Sequence, residues 1–376
     1  MATVTDAFDR AAPVRPEDAF DDPAAVRPED AFDHPAAVRP EDAFDVAAAH
    51  AWLAAHVDGL ATLPPPAVQQ FPGGASNLTY LLRYPARDLV LRRPPAGHKA
   101  ASAHDMGREF RVQRQLKGWY RYVPDVLALC DDPAVIGSVF YVMARVEGMI
   151  LRRTIPVAVA PADAHALGLR IVDCLVELHR IDPAAAGLSD LGRGAGYVAR
   201  QVAGWAERYR RARTPNVPEY EWLMAWLDDH RPADVATCLI HNDFRLDNLV
   251  LSADLNVLGV LDWEMATLGD PLMDVGGALA YWVQADDDEI FQQFRRQPSD
   301  HPGMPTRAEL ADHYCAQTGL VVPNWAFYQV FGLFRLAVIM QQIYYRYFHR
   351  QTTNPAFADF WILVAHLEDR CRALVS

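Results

Sequence analysis

Near residue 160 the hydrophobic rhythm of the chain changes, and that change restricts the fold more than any other feature. Before it, AVQQF, LTYLLRY, DLVLRR, VPDVLALC and SVFYVMARV alternate in the manner of antiparallel strands. PGGASN and PARD are the turns between the first three. After it, apolar residues recur at helical spacing, which predicts amphipathic helices over 161–180, 195–212, 218–230, 271–283, 307–319, 324–347 and 356–373. Two earlier helices are expected, one in DVAAAHAWLAAHVDGL ahead of Pro64–Pro66 and one over about His104–Lys117. A strand-rich interlude at 237–262 interrupts the later helices. The pattern predicts an α+β chain with a small, mostly antiparallel β lobe over 46–146 and a large, mainly helical lobe over 147–376.

Residues 1–45 stand outside this pattern. A twelve-residue unit repeats there as VRPEDAFDDPAA, VRPEDAFDHPAA and VRPEDAFDV. The segment holds 12 acidic and 4 basic side chains, so it carries −8 of the chain's net charge of −13. Each unit offers one Phe and one Val amid Pro, Asp and Glu, too little apolar surface to offset the entropy of ordering. A disordered acidic tail is the expectation. An arm whose Phe8, Phe20, Phe32 and Phe44 dock on a partner or on the protein itself is the alternative. The acidic balance argues against nucleic-acid binding. No apolar run approaches the ~18 residues of a membrane helix. MATVTDAFDRAAP lacks the basic start and apolar core of a signal peptide, and five scattered cysteines suit buried thiols in a reducing cytoplasm.

Within the interlude, His241-Asn-Asp-Phe-Arg-Leu-Asp-Asn248 fits the H-x-D-x-x-x-x-N pattern of kinase catalytic loops. Phosphoryl transfer needs a base for the acceptor hydroxyl, oxygen ligands for a metal and cations for the phosphates. Asp243 suits the base, Asn248 a metal ligand, Arg245 a cation near the moving phosphate, and His241 a structural brace. Fourteen residues on stands Asp262, with LVL and VLGVL between. Those two short strands form a hairpin that returns Asp262 to Asn248, a pair of oxygen donors suited to Mg²⁺. Asp247 is expected to have only a bland contact. Asp270 and Asp274 are expected to cap the next helix, and Glu264 or Asp270 at a second metal is the alternative.

Upstream, the small-residue turn at Gly74, Ser76 and Asn77 could close over phosphates. Arg92 on a strand would face the α/β-phosphates, with Glu109 on a helix as its ion-pair partner. Met143–Val146 would form the hinge that holds adenine. The Walker pattern is absent, and Gly192–Gly196 fits a loop before a helix. Thr306 and Glu309 supply a capping box, and Asp286–Glu289 is either a helix start or an acidic rim.

HNDFRLDN and VLGVLDWEMATLGDPLMDVG resemble the aminoglycoside phosphotransferase and choline kinase group, over roughly residues 46–376. GGASNLTYLL, VLRRPP and FRLDN look most like the kinase-like domain fused to acyl-CoA dehydrogenases. The resemblance implies a protein-kinase-like two-lobe fold with ATP and Mg²⁺ between the lobes. By position it makes Asp243 the base, Asn248 and Asp262 the metal ligands, and Arg92 the counterpart of the nucleotide-binding lysine with Glu109 its helix partner. Asn242 stands where the family usually has glycine, and arginine replaces lysine at 92. With no APE motif and no DFG glycine, a small-molecule hydroxyl is the expected acceptor. A hydroxyacyl-CoA type suits the aromatic and aliphatic residues of the second lobe. An aminoglycoside or amino sugar is the alternative, and a non-catalytic nucleotide-binding scaffold is the rival class.

Overall fold

The computed structural model describes residues 35–71, 77–95, 105–322 and 324–376. Gly74 and Ser76 lie outside the described residues.

The first lobe is one five-stranded sheet, β1 (Ala67–Gln70), β2 (Leu78–Arg83), β3 (Asp88–Arg93), β4 (Val126–Cys130) and β5 (Phe140–Ala144), in the order β1-β2-β3-β5-β4. Every pairing is antiparallel. Alternation along the strands divides their side chains between two faces. Leu82, Leu89, Leu91, Phe140 and Val142 pack with Ala49 and Leu53 of the helix Val46–His56. Val90, Tyr141 and Met143 pack with Met106 and Phe110 of the helix Met106–Leu116. Arg92 and Arg93, adjacent on β3, therefore serve opposite faces of the sheet.

The helical lobe centres on Trp325–Phe348, against which Pro271–Ala280, Phe360–Val375 and Tyr197–Ala212 pack. A Cβ at Gly332 would sit 2.2 Å from the Gly276 carbonyl oxygen, so glycine sets how closely the first two helices approach. By length and composition Trp325–Phe348 could cross a membrane, which corrects the expectation that no such run exists; 67% of its most apolar stretch is buried inside the protein. Thr306 and Glu309 form the expected capping box on Arg307–Thr318. Two ribbons lie in this lobe, β6 (Cys238–Ile240) with β9 (Thr267–Gly269), and β7 (Leu249–Leu251) with β8 (Val257–Val260). The α+β two-lobe architecture is thus the one expected, although β9 falls beyond the predicted interlude.

The last repeat departs from the expectation of a disordered tail. Ala36 pairs with Gln70 through two backbone hydrogen bonds of 2.8 Å, extending the edge of the sheet beyond β1. The Tyr80 hydroxyl and Arg93 Nη2 both donate to the Asp42 carbonyl, at 2.7 and 2.6 Å. Phe44 meets Tyr80 edge-on at 5.0 Å, and the Arg93 guanidinium lies over the Phe44 ring at 5.3 Å. Composition disfavoured ordering because it counts only what the segment brings. The sheet supplies the missing partners: an open edge, an aromatic ring and a cation.

Candidate active site

A cleft of about 370 Å³ between the lobes gathers most of the sequence-predicted residues. Asn77, Arg92, Met143 and Val146 line it from the sheet side, and Asp243, Arg245, Asn248 and Asp262 from the helical side. Glu109 lies behind Arg92, 1% exposed. The Arg92 guanidinium reaches Glu109 at 2.9 Å through Nη1 and Asp262 at 3.0 Å through Nη2. Burial pulls against its charge, but Glu109, then Tyr141 and Asp262, outweigh that and raise its pKa well above the ordinary value. Arg108, one residue before Glu109, ties the same helix to the second lobe by donating to the carbonyls of Glu264 and Ala266 at 3.0 and 2.5 Å.

The hairpin behind Asn248 and Asp262 forms as expected. Leu249 pairs with Val260, and the Leu261 N–H donates to the Asn248 carbonyl at 2.8 Å, which sets Asp262 beside Asn248. Asn248 Nδ2 donates to Asp243 twice, to its carbonyl at 2.8 Å and its Oδ2 at 2.9 Å. With the amide nitrogen so engaged, the Asn248 Oδ1 is the atom left for a cation. Asp262 has φ of 65°, a strained left-handed backbone for an aspartate.

His241 braces this arrangement. Its Nε2 donates to the Leu261 carbonyl at 3.0 Å, and its Nδ1 accepts from the Asp243 N–H at 3.3 Å. The ring joins Asp243 directly to the residue before Asp262. Asn242 has φ of 67°, the conformation glycine usually provides and asparagine tolerates. Its side chain accepts from Tyr197 Oη at 3.0 Å and donates to the Met265 carbonyl at 3.1 Å. Asn242→Ala is expected to lose about 1–2 kcal/mol from the left-handed backbone alone, whereas Asn242→Gly forfeits only the two side-chain bonds. Chemical denaturation of both variants checks this, and equal stability would show that the backbone angle is not the constraint.

Three residues differ from their expected roles. Arg245 does not project alone toward a phosphate; its Nε lies 3.2 Å from Asp243 and 3.3 Å from Asp247, and its guanidinium stacks over Tyr281 at 4.6 Å. Asp247 lines the cleft instead of making a bland outer contact, and burial raises its pKa against the opposing charge of Arg245. Asp274 is not a helix cap. Its carboxylate accepts from the backbone N–H groups of His241 and Asn242, both at 2.7 Å, and contacts His179 Nε2 at 3.2 Å. Asp270 alone caps Pro271–Ala280, through Leu272 and Met273. Glu264 accepts from Asn77 at 2.8 Å, and lines the cleft.

The chain just after Met143–Val146 is held by a crossing. Met149 and Leu251 exchange two backbone hydrogen bonds of 2.7 and 2.8 Å, and a Cβ at Gly148 would lie 2.4 Å from the Leu251 carbonyl oxygen. Only glycine lets the strap after β5 cross the catalytic hairpin so closely.

The donor set fits a magnesium nucleotide. Asn248 and Asp262 offer hard oxygen atoms, and no group of three or more His, Cys, Asp or Glu able to hold a metal occurs among the described residues. Two protein ligands with the remainder from phosphates and water is the way Mg²⁺ is usually held.

Residues 67–311 match the profile of the phosphotransferase enzyme family. The chain is 40% identical over 280 residues to mouse acyl-CoA dehydrogenase family member 10, covering 74% of this chain and 26% of that one. It thus spans about a quarter of the length of that relative. A Ralstonia eutropha structure provisionally described as an aminoglycoside phosphotransferase is 31% identical, with a TM-score of 0.74 over 88% of this chain and 99% of the other. Choline kinase from Cryptosporidium parvum shares the fold at 13% identity, with a TM-score of 0.61 over 88% of this chain and 96% of that one.

Proposed function

The chain belongs to the phosphotransferase enzyme family, and from that premise we propose that it transfers the γ-phosphoryl group of ATP to a hydroxyl of a small molecule. The observation that carries this reading is the linkage of base and ligand: Asn248 holds Asp243 at 2.9 Å while the hairpin sets Asp262 alongside. Asp243 takes the proton of the acceptor hydroxyl as that oxygen bonds to the γ-phosphorus and ADP leaves. Arg245, shared between Asp243 and Asp247, keeps the base oriented. Arg92, pinned by Glu109, exchanges its contact with Asp262 for phosphate oxygens. Mg²⁺ on Asn248 and Asp262 would neutralise charge on the β- and γ-phosphates.

The acceptor side supports an anionic substrate. A second groove of about 390 Å³ adjoins the catalytic loop at Asn242, and Arg193, Arg200, Arg208 and Arg335 line it without an acidic residue. Such a surface suits the phosphates of a hydroxyacyl-CoA ester and repels a polycationic aminoglycoside. The acyl-CoA dehydrogenase name of the mouse relative is in keeping with a thioester acceptor.

An ATP-consumption screen with Mg²⁺ across hydroxyacyl-CoA esters, choline-like alcohols, sugars and aminoglycosides tests the reading. We expect a phosphorylated hydroxyacyl-CoA product. Arg208→Gln should then raise KM for that ester by roughly tenfold, the effect of losing one hydrogen bond to a charged group, and leave KM for ATP unchanged. Turnover confined to aminoglycosides would overturn the anionic-acceptor assignment. Stabilisation by Mg-ATP with no acceptor phosphorylated would favour the non-catalytic scaffold.

A further inference from the structure

The sheet face opposite the cleft holds the last acidic repeat, and the sequence contains a second copy of that occupant. Residues 35–45 read PAAVRPEDAFD, and residues 23–33 read PAAVRPEDAFD. Every group that the docked copy uses is therefore present twelve positions upstream. The sheet binds mostly its backbone, through Pro35, Ala36, Arg39 and Asp42, and adds the Asp42 carboxylate, which accepts from Gln70 Nε2 at 2.9 Å. The Phe44 ring, half-buried against Tyr80 and Arg93, is the apolar anchor. Phe32 is its counterpart.

We propose that this groove is a peptide-recognition site for the sequence PAAVRPEDAFD, and that residues 23–33 of the same chain occupy it in exchange with residues 35–45. The receptor groups Gln70, Tyr80 and Arg93 lie on β1, β2 and β3, so they stay in place whichever copy is seated. Two identical sequences have the same intrinsic affinity for one site and differ only in their tether. Seating the upstream copy loops out residues 34–45 between Asp33 and Val46, and closing a loop of that length carries a statistical penalty of roughly 40-fold. Register 35–45 thus predominates in the unmodified chain. Register 23–33 takes over once the nearer copy loses its anchor. The acidic arm therefore has two lengths, selected at a site on the opposite face of β3 from the nucleotide cleft.

Photo-crosslinking in the full chain reads the register directly. A benzoylphenylalanine probe replacing Phe44 in the otherwise unmodified chain should crosslink to the β2–β3 segment, which establishes the reach of the probe. Phe32→benzoylphenylalanine should crosslink to the same segment weakly when Phe44 is present, and up to roughly 40-fold more strongly when combined with Phe44→Asp. That yield should not depend on protein concentration. No β2–β3 crosslink from position 32 in the Phe44→Asp chain, while the position-44 control succeeds, would overturn the exchange. A crosslink that joins two molecules and grows with concentration would also overturn it, by assigning the groove to a second copy of the chain.

Discussion

Asp243→Asn is expected to lower kcat for phosphoryl transfer by roughly 10²–10⁴-fold, the usual contribution of a positioned general base, while binding of Mg-nucleotide stays near the wild-type level. The split follows from the geometry. Asparagine keeps the shape of the side chain, and its amide oxygen can still accept from Asn248 Nδ2, which now lies 2.9 Å from Oδ2. The nucleotide-side contacts of Arg92 with Glu109 and Asp262 do not involve Asp243. What disappears is the atom that accepts a proton, together with one of the two carboxylates that hold Arg245. Steady-state kinetics with the identified acceptor, alongside a thermal-shift titration with Mg-ATP, separates the two effects. Transfer at a near-wild-type rate would sink the assignment of Asp243 as the base. Unchanged chemistry with weakened nucleotide binding would move Asp243 to a purely structural position.

Much of this site is legible in the sequence because its parts are local. His241, Asp243 and Asn248 lie within eight residues, and the LVL and VLGVL strands bring Asp262 back by a single hairpin. Arg92 and Glu109 lie farther off, but a strand followed by a helix that packs on the same sheet face brings them to 2.9 Å. What escaped the sequence depends on long-range packing. Asp274 sits within the first turn of Pro271–Ala280, where an aspartate is ordinarily a cap or a dipole partner. It reaches His241 and Asn242 only because the β6–β9 ribbon places that turn behind the catalytic loop. Asp247 looks free in sequence, yet the cleft encloses it with Arg245. Arg93 looks like a duplicate of Arg92, although strand alternation sends it to the opposite face, where it seats the last repeat. Composition could not reveal that docking, since the stabilising partners belong to another segment. Asn242 keeps the positive φ that glycine usually provides, so this departure from the family's usual residue leaves the backbone angle of the loop in place.

Asp274→Asn is expected to destabilise the protein and disable it together. The wild-type carboxylate takes both the His241 and Asn242 N–H groups at 2.7 Å, one on each oxygen. An asparagine can accept one of them and turns an NH₂ group toward the other, and each buried donor left unsatisfied costs about 1–3 kcal/mol. The same change releases the backbone immediately before Asp243, and a displacement of ~1 Å in a reacting group can cost about 10²-fold in rate. The pH dependence identifies the charge as the cause. Burial opposes ionisation of Asp274, but the hydrogen bonds it takes from the His179 ring and the His241 backbone N–H prevail and hold its pKa below the ordinary aspartate value. A carboxyl whose folded pKa is depressed stabilises the fold above its unfolded pKa of about 3.9, and that contribution is lost as pH falls through the folded value. The stability gap between wild type and Asp274→Asn, measured by denaturant titration, should therefore persist above about pH 4 and narrow progressively below it. Other carboxylates titrate in both proteins and cancel in the difference. A gap that stays constant into acid would mean that the shape of the side chain, and not its charge, holds the catalytic loop.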